Sequence, residues 1–196
     1  MIIGQAGAPA DAWAFWAIFG AWVAGECWLQ RSRPLPAGAA DRDQGSRWVL
    51  VAAVWTAVAA GMAAAVVVPG ARIPLATQAV FTAGLVLMAA GIGVRGLAVA
   101  ALGSDFSVTI GTEPGQRVRD RGPYRWVRHP SYAGSLATVT GILLCCTNLI
   151  ALGLLILPIL GYAHRIRVEE AALLGGLGEA YRAYMRRTKR LIPFLL

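Results

Sequence analysis

The sequence predicts an all-α, polytopic membrane protein with about five transmembrane helices. Hydrophobic residues make up 57% of the 196 residues and charged residues only 14%, whereas charged residues are about a quarter of a typical soluble domain. The apolar residues form runs of roughly 20 or more, which at 1.5 Å per residue cross about 30 Å of hydrocarbon. The basic residues, which give a net charge of +8, cluster between these runs. That clustering favours lipid headgroups as partners and argues against nucleic acid, which needs a basic face on a folded soluble module.

Three apolar runs fill the first half of the chain, at residues 12–30, 48–68 and 75–102. The segment Val68-Pro69-Gly70 ends the second run, because proline and glycine interrupt helices. The link to the third run is short, which predicts that the second and third spans form an antiparallel hairpin. We therefore interpret residues 1–102 as a three-helix transmembrane scaffold.

A fourth apolar run, at residues 132–162, is too long for one perpendicular span. Its 31 residues would reach about 46 Å as a straight helix, which exceeds the hydrocarbon thickness. The polar pair Thr147-Asn148 lies near its middle and predicts a turn there, which gives a helical hairpin and five spans in total. A single long, tilted helix is the alternative.

The distribution of arginines predicts the topology. Arginines are concentrated in residues 31–47, in residues 103–128 and in the tail after Gly161, whereas the other two connections hold one arginine at most. Since basic loops remain in the cytoplasm, the N-terminus is expected outside and the C-terminus inside. No basic segment precedes the first apolar run, so we expect that run to remain as a helix of the inner or plasma membrane rather than a cleaved signal.

Two ionisable residues fall inside the predicted spans, Glu26 in the first and Arg95 in the third. Both lie toward the cytoplasmic ends of their helices, so they are at a similar depth. Charges within a membrane are usually paired or functional, and we expect these two to form an ion pair. Independent extension of each side chain toward the interface is the alternative.

The chemistry-bearing side chains are concentrated in two polar segments. The first, residues 122–132, places aromatic, guanidinium and imidazole groups between a Gly-Pro turn and a Pro that follows His129; a juxtamembrane anchor is the alternative. In the second, Arg165 and Glu169 would lie one turn apart if the last span continued as a helix; an exposed surface pair is the alternative. The tail beyond is amphipathic, with an expected interruption at Gly175-Gly176 and an end at Pro193, and is typical of an interfacial helix.

These segments carry a set of short motifs in a characteristic order. The motifs are Leu102-Gly103 with Phe106-Ser107, Gly122-Pro123-Tyr124, Arg128-His129-Pro130-Ser131-Tyr132, Arg165 with Glu169-Glu170, Leu177-Gly178-Glu179-Ala180-Tyr181 and Leu191-Ile192-Pro193. Together they resemble the isoprenylcysteine carboxyl methyltransferases and their bacterial relatives, over roughly residues 100–196. The resemblance implies that residues 103–196 are a methyltransferase region, made of a cofactor loop, the helical hairpin 132–162 and the amphipathic C-terminal helix.

The resemblance also implies a cytoplasm-facing pocket for S-adenosylmethionine. The positions that match the cofactor contacts of the family are Gln116, Val118, Arg119, Tyr124, His129, Pro130, Tyr132 and Glu169. Arg165 and Glu170 match the catalytic positions, with Arg165 gripping an acceptor carboxylate and Glu170 orienting that arginine. The expected partners are a lipophilic or lipidated acceptor and membrane lipids. No metal is expected, because methyl transfer from a sulfonium to a carboxylate requires only that the two groups be held in line, and no His/Cys spacing indicates a metal site.

Some alternatives remain open at this point. The family commonly has Trp where Phe106 stands and often has His where Gln116 stands, so the acceptor is less securely predicted than the fold. Related proteins methylate phospholipid amines or small thiols. From other classes of protein, an NADPH-dependent membrane reductase and a non-catalytic scaffold or small transporter are the competing hypotheses.

Overall fold

The computed structural model describes residues 9–32, 40–74, 77–112 and 118–192 and shows a helical bundle. Its helices are α1 (Pro9–Ser32), α2 (Ser46–Val67), α3 (Thr77–Leu102), α4 (Pro130–Cys145), α5 (Leu149–Gly153), α6 (Ile156–Leu177) and α7 (Glu179–Arg187), and two short strands, β1 (Ala40–Asp41) and β2 (Gly111–Thr112), pair antiparallel. Within these residues, four helical stretches are long and apolar enough to cross a membrane: Ala10–Ser32, Ser46–Val67, Thr77–Leu102 and Leu149–Leu177. The fifth apolar helix, α4, is shorter. The predicted all-α, polytopic fold is confirmed, and the chain is an integral membrane protein.

The predicted division of the last apolar run is confirmed, because the chain turns at Cys146–Asn148. Thr147 takes a positive φ of 47°, which a continuous helix does not allow. The side chain of Asn148 then caps α5 by accepting a hydrogen bond from the backbone N–H of Ile150 at 2.9 Å. Its amide nitrogen donates to the carbonyl of Val68 at 3.1 Å, which attaches the turn to the end of α2.

The order of packing in the bundle differs from the predicted hairpin. Although only a short link joins α2 to α3, α2 packs chiefly against α5 and α6, whereas α3 packs along the length of α4. The α4–α5 turn lies against the α2–α3 link, where the N–H of Ile73 donates to the carbonyl of Thr147 at 2.9 Å. The short link therefore does not make α2 and α3 each other's main packing partners, because helix contacts depend on surface shape as well as on link length.

Glycines explain why α3 and α4 pack so closely. A Cβ atom added to Gly91 of α3 would lie 2.5 Å from the carbonyl oxygen of Gly134 and 2.5 Å from the backbone nitrogen of Thr138. Two helical turns further along α4, a Cβ atom on Gly141 would lie 2.6 Å from the carbonyl oxygen of Gly84. The two backbones are thus in direct contact, as in transmembrane pairs that use small residues at the interface.

We expect Gly91→Ala to destabilise the protein by about 1–3 kcal/mol or more, because the new methyl group overlaps backbone atoms that cannot rotate away. Gly93→Ala is the matched control, since nothing lies within 4 Å of an added Cβ atom there and alanine favours the helix. Denaturant titration of both variants in detergent micelles measures the effect. Equal stability of the two variants would contradict direct backbone contact.

The predicted interruption of the C-terminal helix lies a few residues too early. The helix α6 continues through Gly175 and ends at Leu177, because a glycine inside a helix costs only about 1 kcal/mol. The break comes at Gly178, where φ is 55° and ψ is −127°, a conformation that residues with a Cβ atom avoid. Pro193, which was expected to end this region, lies outside the described residues.

The expected ion pair between α1 and α3 is confirmed. The NH2 group of Arg95 donates to Glu26 Oε2 at 2.7 Å, and its NH1 group donates to the hydroxyl of Ser131 on α4 at 2.8 Å. Arg95 therefore links three helices at one depth. This link adds to the contacts that Phe15 and Trp22 of α1 make in the hydrophobic core.

Candidate functional site

The site is built where two loops meet at one end of the bundle. The strand β1, in the α1–α2 loop, pairs with β2 in the loop after α3, and the N–H of Arg42 donates to the carbonyl of Ile110 at 2.9 Å. The α1–α2 loop is therefore fixed over the loop that follows α3. The start of α4 and the end of α6 reach the same end of the bundle, since neighbouring spans alternate in direction.

A cavity of about 340 Å³ opens beneath these loops, a volume within the range of small-molecule sites. One part of its wall is apolar and comes from α1 and α2. The other part is polar. It comes mainly from the second half of the chain, and Glu26, Gln30, Arg47 and Arg95 also contribute to it. The apolar lining includes Trp22, Val23, Val54 and Trp55, and the polar lining includes Arg119, Tyr124, His129, Tyr132, Arg165 and Glu169.

Arg165 occupies the centre of the hydrogen-bond network, with only 4% of its surface exposed. Its Nε donates to the hydroxyl of Tyr132 at 3.0 Å. Its NH1 donates to Asp43 Oδ1 at 2.6 Å and to the hydroxyl of Ser46 at 3.0 Å, and its NH2 donates to the carbonyl of Val108 at 2.7 Å. A guanidinium carries five N–H donors. The described residues occupy four of them, which leaves one N–H on NH2 with no partner among those residues.

The polar wall continues from Arg165 to Glu169 through Tyr132. The hydroxyl of Tyr132 donates to Glu169 Oε2 at 2.5 Å. Arg165 and Glu169 lie on one face of α6, and Tyr132 of α4 joins them by hydrogen bonds to both. The ring of His129 stacks parallel to that of Tyr132 with centroids 5.4 Å apart, and its Nδ1 is 3.7 Å from Glu169 Oε2. Pro130 begins α4 and holds His129 in a non-helical conformation, as expected of a residue before proline.

Glu170 faces a different set of partners. It accepts hydrogen bonds from Arg128 at 2.9 Å and from Arg190 at 2.9 Å, with His129 Nε2 at 3.4 Å. The expectation that Glu170 orients Arg165 is therefore wrong, because five residues along a helix rotate a side chain by about 140°. Among the described residues that line the cavity Glu170 is absent, and its ion pairs attach the C-terminal segment to the start of α4.

The structure brings most of the predicted cofactor positions together. Val118, Arg119, Tyr124, His129, Tyr132 and Glu169 all line the cavity. Arg119 is exposed at its edge and pairs with Asp105. Burial raises the pKa of Tyr124, so this phenol is neutral at physiological pH. Pro130 is buried outside the described lining, and Gln116 lies outside the described residues.

Sequence reasoning missed Asp43 and Ser46, the two residues of the N-terminal half that hold Arg165. One local signal points to them, because Asp43 precedes an apolar helical run and its Oδ2 accepts the N–H of Arg47 at 3.0 Å, as a helix-start residue does. Burial acts to raise the pKa of Asp43, but hydrogen bonds from Arg47 and Arg165 outweigh it and lower that pKa. Asp43 is therefore ionised at neutral pH.

Comparisons with known proteins agree with one another. The model of the isoprenylcysteine carboxyl methyltransferase (ICMT) family matches residues 80–175. A Xenopus laevis protein named "Protein-S-isoprenylcysteine O-methyltransferase" is 30% identical over 115 residues, which are 57% of this chain and 40% of that protein. An Oryza sativa subsp. indica protein, "Probable protein-S-isoprenylcysteine O-methyltransferase", is 30% identical over 57% of this chain and 60% of its own length. The chain thus spans about half the length of these relatives.

A solved structure has a similar fold. It is entitled the eukaryotic intramembrane Ras methyltransferase ICMT, and it aligns with a TM-score of 0.57 at 22% identity over 78% of this chain and 53% of its own. At this identity the likeness concerns the fold. The ordered motifs, the match of the family model and the two relatives agree with one another, and residues 80–175 are similar to the isoprenylcysteine carboxyl methyltransferase family.

Proposed function

We propose that this protein is a methyltransferase that uses S-adenosylmethionine to methylate the carboxylate of a lipophilic acceptor, such as an isoprenylated cysteine. The observation that carries the proposal is the composition of one cavity. Apolar side chains of α1 and α2 line one part of it, and charged and hydrogen-bonding side chains from the family-matched half line the other. A site for a polar cofactor and an acceptor with an apolar tail needs both kinds of wall.

The residues on the polar side fit S-adenosylmethionine. Glu169 offers a carboxylate for an ammonium or for ribose hydroxyls, and Tyr124 and His129 offer further hydrogen-bonding groups beside it. Val118 supplies an apolar surface on the same side of the cavity. When bound, S-adenosylmethionine supplies an activated methyl group on a positively charged sulfur. The protein therefore has to exclude water and hold the acceptor in line with that group.

Arg165 is the residue best suited to the acceptor. One N–H on its NH2 group has no partner among the described residues and can donate to a carboxylate oxygen, and the guanidinium favours an anionic partner. A carboxylate with an ordinary pKa is ionised near pH 7, so the reaction needs no general base. Glu170, which matches a catalytic position of the family, acts here as a positioning residue that holds Arg128 and the C-terminal segment.

The charge of the site end favours the cytoplasmic side. The loops and helix ends around the cavity carry most of the exposed arginines, such as Arg42, Arg119, Arg121 and Arg167. Since basic segments stay in the cytoplasm, the site and the C-terminus face the cytoplasm and the N-terminus lies outside.

Calorimetric titration of detergent-purified protein with S-adenosylhomocysteine, the demethylated cofactor product, tests the cofactor. We expect micromolar binding by the wild type and at least about tenfold weaker binding by Glu169→Ala and by His129→Ala, because a lost charge-assisted hydrogen bond costs roughly 1.5–3 kcal/mol. Glu179→Ala is the matched control, since this glutamate is exposed and pairs only with Arg182 and Arg186 among the described contacts.

Two outcomes would contradict the proposal. Folded wild-type protein that binds NADPH and no S-adenosylhomocysteine would favour a membrane reductase. Equal affinities of Glu169→Ala, His129→Ala and Glu179→Ala would place the cofactor elsewhere.

A further inference from the structure

We infer that Asp43, in the α1–α2 loop, is a positioning residue for methyl transfer that holds Arg165 and, through Tyr132, Glu169. Asp43 lies outside residues 80–175, the segment that the family model matches. The inference rests on the proposed function and deepens it, because it assigns part of the site to the N-terminal half of the chain. That half was expected to be a scaffold only.

The contact between Asp43 and Arg165 is short and buried from solvent. Asp43 Oδ1 lies 2.6 Å from Arg165 NH1, and the two side chains are 9% and 4% exposed. Ser46 bonds both partners, since it donates to Asp43 Oδ1 at 3.3 Å and accepts from Arg165 NH1 at 3.0 Å. A buried guanidinium is costly without a counter-charge. Asp43 supplies that charge, so the position of its carboxylate determines where Arg165 stays.

The planarity of the guanidinium turns this contact into an orientation. Its Nε, NH1 and NH2 groups point in fixed directions, and they are occupied by Tyr132, by Asp43 with Ser46, and by Val108. Three segments of the chain thereby fix the plane of the Arg165 guanidinium. The second N–H of NH2, which has no partner within the described part of the chain, can then donate to an acceptor carboxylate, and its direction depends on Asp43.

The same network reaches the cofactor side. Tyr132 accepts from Arg165 Nε at 3.0 Å and donates to Glu169 Oε2 at 2.5 Å. A shift of the guanidinium would therefore move the phenol and with it the carboxylate of Glu169. Asp43 acts on both ends of the proposed reaction although it is not among the described residues that line the cavity.

Asp43 is itself well fixed. Its Oδ2 accepts the N–H of Arg47 at 3.0 Å, and its own N–H donates to Asp41 Oδ1 at 2.9 Å. Asp41 belongs to β1, which is paired with β2. The carboxylate is thus anchored to the start of α2 and to the loop after α3, which is what a positioning residue requires.

Three variants test this role. Asp43→Asn keeps the size of the side chain and one acceptor oxygen but removes the charge. Ser46→Ala removes one acceptor of Arg165 NH1 and keeps the charge. Arg42→Ala is the control, because this side chain is exposed on the same loop and the contact of Arg42 with Ile110 is made by its backbone N–H. Each protein is purified in detergent and compared in melting temperature, in Kd for S-adenosylhomocysteine, and in kcat and KM for N-acetyl-S-farnesylcysteine.

We expect Asp43→Asn to lower kcat by about 10- to 100-fold, since small misplacements of catalytic groups cost that much. KM should not rise in proportion, because Arg165 keeps its charge for an acidic acceptor, and the Kd for S-adenosylhomocysteine should rise severalfold through Glu169. Ser46→Ala should lower kcat by a smaller factor at an unchanged melting temperature. A purely structural role would instead lower the melting temperature and leave the kinetics of the folded protein unchanged.

The outcomes separate the two levels of inference. Folded Asp43→Asn with the kcat, KM and Kd of Arg42→Ala would overturn the role of Asp43 while the proposed function stands. If Asp43→Asn does not fold, an unchanged kcat in Ser46→Ala would overturn it equally. If the wild type binds S-adenosylhomocysteine but methylates no carboxylate acceptor, the test uses the Kd alone. A Kd of Asp43→Asn equal to that of Arg42→Ala would then overturn the role of Asp43. A wild type that binds no S-adenosylhomocysteine would overturn the proposed function, and the role of Asp43 with it.

Discussion

Arg165→Lys is expected to lower kcat/KM for N-acetyl-S-farnesylcysteine by about 100-fold or more, the loss that follows when a reacting group is misplaced by about 1 Å. A lysine ammonium is a point charge with three donors on a flexible stem. It can keep the ion pair with Asp43, so the protein should still fold. It cannot at the same time reach Tyr132 and Val108, which the guanidinium contacts at 3.0 and 2.7 Å.

The matched control for this substitution is Arg167→Lys, two residues further along α6 and exposed. We expect its kcat/KM to stay within about threefold of the wild type, because exposed arginines contribute little through fixed geometry. A methyl-transfer assay with radiolabelled cofactor at several acceptor concentrations measures both variants. Full activity of Arg165→Lys would show that only the charge of this residue matters, and it would contradict the geometric role.

The second large effect is expected at the ion pair between α1 and α3. Glu26→Leu or Arg95→Met alone should destabilise the protein by about 3–5 kcal/mol, because each leaves an uncompensated charge at membrane depth. The double variant should be more stable than either single variant, since replacing a buried ion pair by apolar side chains is often nearly neutral. Denaturant titration in micelles, combined as a double-mutant cycle, gives the coupling free energy.

A surface pair provides the control for that cycle. Glu179 and Arg182 lie 2.8 Å apart with about two-thirds of each side chain exposed, so their coupling should be no more than about 1 kcal/mol. If the losses for Glu26 and Arg95 simply add, the two charges act independently, and the pairing seen at 2.7 Å contributes nothing to stability.

Much of this fold could be predicted because it depends on local properties of the chain. The apolar runs determine where helices cross the membrane, and the polar pair Thr147-Asn148 marks the turn between α4 and α5 because a positive φ and a side-chain cap are needed there. The ion pair of Glu26 with Arg95 could also be predicted, since two charges at equal depth in hydrocarbon have few other partners. The expected break at Gly175-Gly176 was wrong because a glycine permits a turn without requiring one, and the helix ends instead at Gly178, which takes a positive φ.

Some residues of the candidate site could likewise be predicted from the sequence, and others could not. The motifs around Tyr124, His129, Tyr132, Arg165 and Glu169 indicated which side chains would line a pocket, because their types and order could be read along the chain. The partner of Arg165 could not be found by that route. Asp43 is 122 residues away in the sequence. Glu170 is much nearer in the sequence, but its position on α6 places its carboxylate beside Arg128 and Arg190.

By itself the sequence determined that this chain crosses the membrane as a helical bundle, where its apolar helices lie and where the last apolar run turns, and which family its second half resembles. Hydropathy, turn chemistry and short motifs are properties of neighbouring residues, so they can be read without a fold. Only the tertiary structure decided that α3 packs on α4 and that the α1–α2 loop supplies the counter-charge of Arg165. Both depend on how distant surfaces fit together: glycine backbones in contact in one case, and in the other a buried carboxylate placed by the pairing of two short strands.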